Sequence, residues 1–308
     1  MKIFSSLETG FYRALKSWKG VLITWLTMFL LVLVFIYPLR GSLSSAFGSS
    51  MITEKLAHGF DIEVFADLGP AIGSIISFIT SGFILVYLVG FVINAFLSAG
   101  LFGSVTKGNG KFSAQEFFRA GSKDFWPFII ILLIIAVIIT FITGVLILLS
   151  ITITSMSDAM PEKTRIAVVV ASGALILLLM PIFLLIADYS RAWKASHENE
   201  SCFRAVGFGF SHAFSKFWSS YIMMVLLIAS QMILGIFILF FLPAWKPVTG
   251  GGVFLLLIIS QLLFLARLVL KTWRYASVTS LMEETTVTIP ENTNFIQYEQ
   301  GRSNQTEG

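Results

Sequence analysis

Ionisable and hydrogen-bonding side chains are costly in hydrocarbon, so one that interrupts an apolar run is a candidate for chemistry or for clamping helices. Asn94, Asp188 and Arg267 each do so near one end of a long apolar stretch, and Arg191 follows Asp188 by one helical turn. Asp188 and Arg267 carry opposite charges and would neutralise each other if their helices meet; Arg191 is a competing partner for Asp188. Two readings stay open for this set: a clamp that holds helix ends together, or a polar constriction or head-group site. Gln231 and Gln261, single amides in apolar surroundings, read as bonds across a helix bundle.

Catalytic signatures are missing. The chain has no HExxH, no GxSxG, no phosphate-binding glycine loop and no pair of carboxylates within an apolar run. None of His58, His197 and His212 lies in such a signature, and His212 lacks an acidic residue at helical spacing. A single cysteine, Cys202, excludes an intramolecular disulfide and a multi-cysteine metal cluster. Its place beside an amphipathic stretch makes it an S-acylation candidate by position alone. The expectation is therefore no catalytic residue, no cofactor, no metal and no enzyme.

The elements that position these residues are membrane helices. Hydrophobic residues make up 56% of the chain and charged residues 12%, whereas a soluble globular chain carries about 25% charged residues. Crossing ~30 Å of hydrocarbon takes about 20 helical residues. Six runs are long enough: Val21–Leu39, Ala71–Ser98, Phe125–Ile151, Ile166–Ala187, Ser219–Leu242 and Gly252–Leu270. None alternates apolar and polar residues with a period of two, which excludes a barrel. The fold class is all-α, a polytopic membrane protein with six transmembrane helices, in one membrane domain over 1–282. The tail, 283–308, is polar and acidic and reads as disordered.

Lys and Arg placement sets orientation. Fifteen fall in the amino-terminal segment, the second and fourth loops and the tail, against five in the other loops. Both termini are predicted to be cytoplasmic, in an inner membrane. The first run reads as a spanning helix rather than a cleaved signal, because the twenty residues before it are patterned. There Ser5-Ser6-Leu7-Glu8 has the form of a capping box, and Phe4, Leu7, Phe11, Ala14, Leu15 and Trp18 share a face. The net charge of +4 is spread over short loops and leaves no nucleic-acid footprint. The longest external loop, 40–70, holds His58 among scattered carboxylates and reads as solvated surface.

Three amphipathic segments precede apolar runs. The second spans Lys111–Phe125, with Ser113 and Glu116 as a capping box and Ala114, Phe117, Phe118, Gly121 and Phe125 on one face. In the third, Phe203, Val206, Gly207, Phe210, Ala213, Phe214 and Phe217 share a face. Each contains an aromatic-Arg-Ala triplet (Tyr12-Arg13-Ala14, Phe118-Arg119-Ala120, Phe203-Arg204-Ala205) and meets a tryptophan at its membrane entry: Trp18, Trp126 and Trp218. Such basic, aromatic segments suit the lipid interface; packing on the ends of the bundle is the other reading. The order admits three parallel repeats of interfacial helix plus transmembrane hairpin, over 1–106, 107–196 and 197–282. The second run also has small residues four apart, at Gly73, Ser77 and Ser81 and at Gly90, Asn94 and Ser98. These rows predict close helix contact.

The sequence Asp188-Tyr189-Ser190-Arg191-Ala192-Trp193, followed by an amphipathic stretch and Phe217-Trp218, resembles prokaryotic six-helix membrane families. One of these is the membrane domain of glycerophosphoryl diester phosphodiesterases; Phe91–Phe118 is similar too. The resemblance implies a membrane module without activity, since bundle and tail take up the 308 residues. The expected function is a non-enzymatic inner-membrane protein. Phe118, Arg119, Phe203, Arg204, Phe210, Phe214, Phe217 and Trp218 would contact membrane lipid, or a partner protein at loops 99–124 and 188–217. The alternative is a transporter or permease subunit with its polar site at the cytoplasmic end of the bundle.

Overall fold

The computed structural model describes residues 2–47, 71–106, 112–155, 161–197, 199–247 and 249–286. Among them it has nine helices and no strand: α1 Lys2–Lys16, α2 Trp18–Phe47, α3 Ala71–Thr106, α4 Ala114–Lys123, α5 Phe125–Ser155, α6 Glu162–Ser196, α7 Cys202–Ser215, α8 Phe217–Ala244 and α9 Gly250–Thr286. The six long ones are apolar enough to cross a membrane. Helix is what such runs must form, because hydrocarbon offers the backbone no other hydrogen-bond partner. Large side chains on their outer faces, such as Phe141 at 70% and Phe240 at 77%, are exposed.

The three even-numbered crossings run past the apolar stretches that announce them. α3 continues from Ser98 to Thr106, α6 from Ala187 to Ser196, and α9 from Leu270 to Thr286. The extensions of α6 and α9 are largely polar and that of α3 is mixed, and each is packed against a short helix, so the helix has a reason to continue past its apolar run. Residues 283–286, read as the start of the tail, are thus helical; 287–308 lie outside the described residues. α2 likewise runs on to Phe47, and α8 runs through Pro243 to Ala244. His58 and the loop carboxylates around it fall outside the described residues.

The same neighbours recur three times. α3, α6 and α9 pack against one another. Each of the other crossings sits against two of them: α2 on α3 and α9, α5 on α6 and α3, α8 on α9 and α6. Each short helix lies mainly along one member of the inner trio, α4 on α3, α7 on α6 and α1 on α9. Gly103, Ser190 and Ser277 each mark a close approach to a short helix, facing Ala120, Gly209 and Gly10. From 103 to 190, and from 190 to 277, is 87 residues each.

Small residues make these approaches possible. A Cβ on Gly10 would lie 2.6 Å from the Ser277 Cα, and one on Gly209 2.7 Å from the Ile186 carbonyl oxygen. On α1 the packed face is Ser6, Gly10, Ala14 and Ser17, leaving Phe4, Phe11, Leu15 and Trp18 exposed. α1 starts at Lys2, so Ser5 and Ser6 lie inside it and donate to Glu284 (3.3 Å each) instead of capping. Ser113 does cap α4, accepting from the Glu116 N–H, and Ser201 caps α7 in the same way through Arg204. On α7 the face read from spacing is divided. Val206 and Ala213 turn inward beside Ala205 and Gly209, whereas Phe203, Gly207 and Phe214 turn outward. The small-residue row decides the docking side, because bulky rings would hold the helices apart. By the same test Gly73, Ser77 and Ser81 on α3 are exposed, not packed, while Ser98 is buried and Gly90 meets Leu31.

Candidate functional site

Asp188 of α6 is fully buried, and its charged partners come from α6 itself and from α9. Arg191, one turn along α6, brings Nη1 within 3.2 Å of Oδ1, and Arg274 of α9 brings Nε within 2.9 Å of Oδ2. A carboxylate has two oxygens, and each faces a guanidinium. Arg suits this place because its delocalised charge is less strongly hydrated than an ammonium. Beside the ion pairs, Lys271 Nζ donates to Asn94 Oδ1 at 2.6 Å. The Tyr275 ring stacks on Phe102 with centroids 4.3 Å apart, lies 5.7 Å from Lys271 Nζ and 5.2 Å from Arg274 Cζ, and sets its hydroxyl 3.5 Å from Ser98. α9 is thereby tied to α6 by charge, and to α3 by the Lys271–Asn94 hydrogen bond and ring stacking, while the cation–π contacts lie within α9.

Of the residues picked out by sequence, Asp188 and Arg191 meet, and Asn94 joins them through Lys271. Arg267 does not: it is exposed, and Arg274, seven residues on, takes the place expected of it. Lys271, Arg274 and Tyr275 were not among the candidates because they follow the apolar run and read as tail. Their signal was there in the small residues beyond, Ala276, Ser277 and Ser280, which are buried in the α1 contact. Gln261 accepts from Trp25 Nε1 at 3.1 Å, a bond across the bundle as expected. Gln231 Nε2 is buried without a hydrogen-bond partner among the described residues.

A second polar layer lies closer to the chain termini. Tyr189 bonds the Ser220 hydroxyl at 2.8 Å and meets the His212 ring edge-on at 4.7 Å. His212 Nε2 bonds the Thr285 hydroxyl at 2.8 Å, and its ring stacks on Phe208, which stacks in turn on Trp193. Burial, and then the positive charge of Lys216, hold the His212 pKa below its ordinary 6.5. Arg13 pairs with Glu283 at 2.8 Å, and Trp273 Nε1 donates to the Leu7 carbonyl, which fixes α1 to the end of α9.

The aromatic candidates are placed around this end. Phe118, Phe203, Phe214 and Trp218 are exposed, Phe210 and Phe217 half-buried, and the neighbouring Phe117 is fully buried. Arg204 pairs with Glu200 at 2.9 Å in an exposed contact. Segments 99–124 and 188–217, read as loops, are mostly helix. Arg119 lines a polar cavity of about 220 Å³ with Gly103, Thr106, Glu116, Lys123 and Ser196 among its walls. At the other end, an apolar groove of about 490 Å³ runs between α2 and α3, past Phe35, Pro38 and Gly82. Neither is lined by Asn94, Asp188, Arg191 or Arg267. No group of three or more His, Cys, Asp or Glu among the described residues has a geometry that could hold a metal ion. No family model matches the chain, and neither a curated protein nor a solved structure is similar to it.

Proposed function

We propose that this is a non-enzymatic protein of the inner membrane with both termini in the cytoplasm, built as three copies of one unit. In this reading its three short helices hold their aromatic faces against the lipid of the cytoplasmic leaflet. The observation that carries it is the division of labour on α1, α4 and α7. Small residues dock α1 and α7 on a long helix, and Ala120 and Gly121 with the buried Phe117 dock α4; Phe4 and Phe11, Phe118, and Phe203 and Phe214 are left exposed, as are Trp18, Trp126 and Trp218 at the starts of the helices that follow. Trp and Phe at that depth match the preference of aromatic rings for the headgroup boundary. The threefold recurrence of neighbours and the even 87-residue spacing support the repeat. The resemblance to phosphodiesterase membrane domains fits the same reading, a module that sits in lipid without chemistry of its own. A permease has less support, since Asp188 is closed between two arginines. A partner protein at 99–124 and 188–217 would use the same exposed rings.

The test is fluorescence quenching in vesicles, with single-tryptophan variants retaining Trp18, Trp126 or Trp218. Lipids brominated near the headgroup should quench all three strongly. A variant retaining Trp273, half-buried and bonded to Leu7, should be quenched much less. Quenching of Trp126 and Trp218 by aqueous iodide alone would assign the rings to water or to a protein partner. Orientation is read by Ser122→Cys in a Cys202→Ser background: an impermeant thiol reagent should label it only after the cells are opened.

A further inference from the structure

We propose that the cavity between α4 and the ends of α3 and α6 binds a small zwitterion of the phosphate–ammonium type. Its anionic end would lie at Arg119 and Lys123 and its ammonium at Glu116 and Asp124. The walls are Gly103 and Thr106 of α3, Glu116, Arg119, Ala120 and Lys123 of α4, Asp124, and Ala195 and Ser196 of α6. Size is the first constraint. Pockets for drug-sized ligands run about 300–1,000 Å³, and about 220 Å³ admits only a head group or a comparably small molecule.

Charge is the second constraint. Two cationic and two acidic side chains face one cavity, a formal sum of zero; Asp124 is buried, while Glu116, Arg119 and Lys123 are exposed. All four already have interactions, so a ligand enters by exchange. A simple anion would match Arg119 and Lys123 but lie against Glu116 and Asp124, and a simple cation would do the reverse. In each case like charges face one another across the cavity, which is unfavourable. A ligand carrying both charges replaces both partners at once, with hydroxyls from Thr106 and Ser196 at hand. Its ammonium must have N–H groups, because carboxylates recognise donors as well as charge.

Position bears on the source. Phe118 and Trp126, on and just after α4, are exposed, which under the lipid-contact reading sets the cavity mouth among head groups; only the source of the ligand rests on that reading. Native mass spectrometry of the delipidated full-length chain in detergent would compare short-chain phosphatidylethanolamine, phosphatidylglycerol and phosphatidylcholine with free phosphoethanolamine. Phosphatidylethanolamine should be retained about tenfold more than either other lipid, the scale of one charge-assisted hydrogen bond. Arg119→Gln or Glu116→Gln should each remove that preference, Arg119→Lys should keep part of it, and Lys163→Gln at the far end of α6 should leave it intact. Equal retention of phosphatidylglycerol or phosphatidylcholine by the unaltered protein overturns the proposal, as does a preference untouched by Arg119→Gln. Free phosphoethanolamine binding as well as the lipid supports the site and assigns it to a soluble zwitterion. The tryptophan quenching pattern is independent of this result, so the two readings fail separately.

Discussion

From Glu162 to Met180, α6 leaves most of its side chains exposed; from Pro181 to Lys194 nearly every one is buried. The same change occurs along α9 on either side of Leu268, and along α3 near Asn94. One half of the bundle therefore meets lipid, and the other is a protein interior with polar contents. The difference shows where tertiary specificity is concentrated. In hydrocarbon an apolar face gains little from a protein neighbour over a lipid tail, so the six crossings are held mainly where charges, hydroxyls and short helices lock them.

The comparison is broken most directly at Asp188. Asp188→Ala leaves Arg191 and Arg274 as unneutralised buried guanidinium groups, and should destabilise by about 3–5 kcal/mol, read as a large drop in Tm in detergent. Asp188→Asn combined with Arg274→Met should recover part of the loss, because one of the two orphaned charges goes too.

Next comes the docking of short helices. Gly209→Val drives a side chain into the Ile186 carbonyl, whereas Gly207→Val on the same helix meets nothing within 4 Å. The first should cost about 1–3 kcal/mol, as overpacking does, and the second about 0.5 kcal/mol or less. Equal effects would show that α7 is not docked by its small-residue row.

His212 gives a smaller, pH-dependent contribution. Its folded pKa lies below 6.5, because burial and Lys216 disfavour the charged ring. The unfolded chain therefore binds the proton first as pH falls. The stabilisation is present above about pH 6.5 and is lost as pH drops from there through the folded value. A Tm profile from pH 8 to 5 should show this slope, and His212→Asn should flatten it. Smallest of all should be Val170→Ala in the exposed half of α6, within about 0.5 kcal/mol. A cost comparable to that of Gly209→Val would mean this face is covered by protein rather than lipid.

Half of the candidate site was legible in advance, for a physical reason. Asp188 and Arg191 stand out because they break or border an apolar run, and their one-turn separation nearly dictates their contact. Arg267 stood out by the same rule and proved exposed, since a helix rotates about 100° per residue and hydropathy does not say which side faces the bundle. Arg274 and Lys271 were hidden because they lie past the hydrophobic stretch, where a helix continues only if something packs on it. That something is α1, from the opposite end of the chain, through Gly10 and Ser277. The aromatic faces were legible as rings near basic residues, but the docked sides of α1 and α7 were set by their small residues, and that of α4 by Phe117 with Ala120 and Gly121, whose roles depend on a partner.

By itself the amino-acid sequence determined the number of crossings and their helical state, because about 20 apolar residues in hydrocarbon leave the backbone one way to satisfy its hydrogen bonds. Only the tertiary structure decided which cation meets Asp188, how far α3, α6 and α9 extend, and which face of α1, α4 and α7 is packed. Those outcomes depend on groups far apart in the chain arriving within a few ångströms of one another, and no local pattern of hydrophobicity encodes that distance.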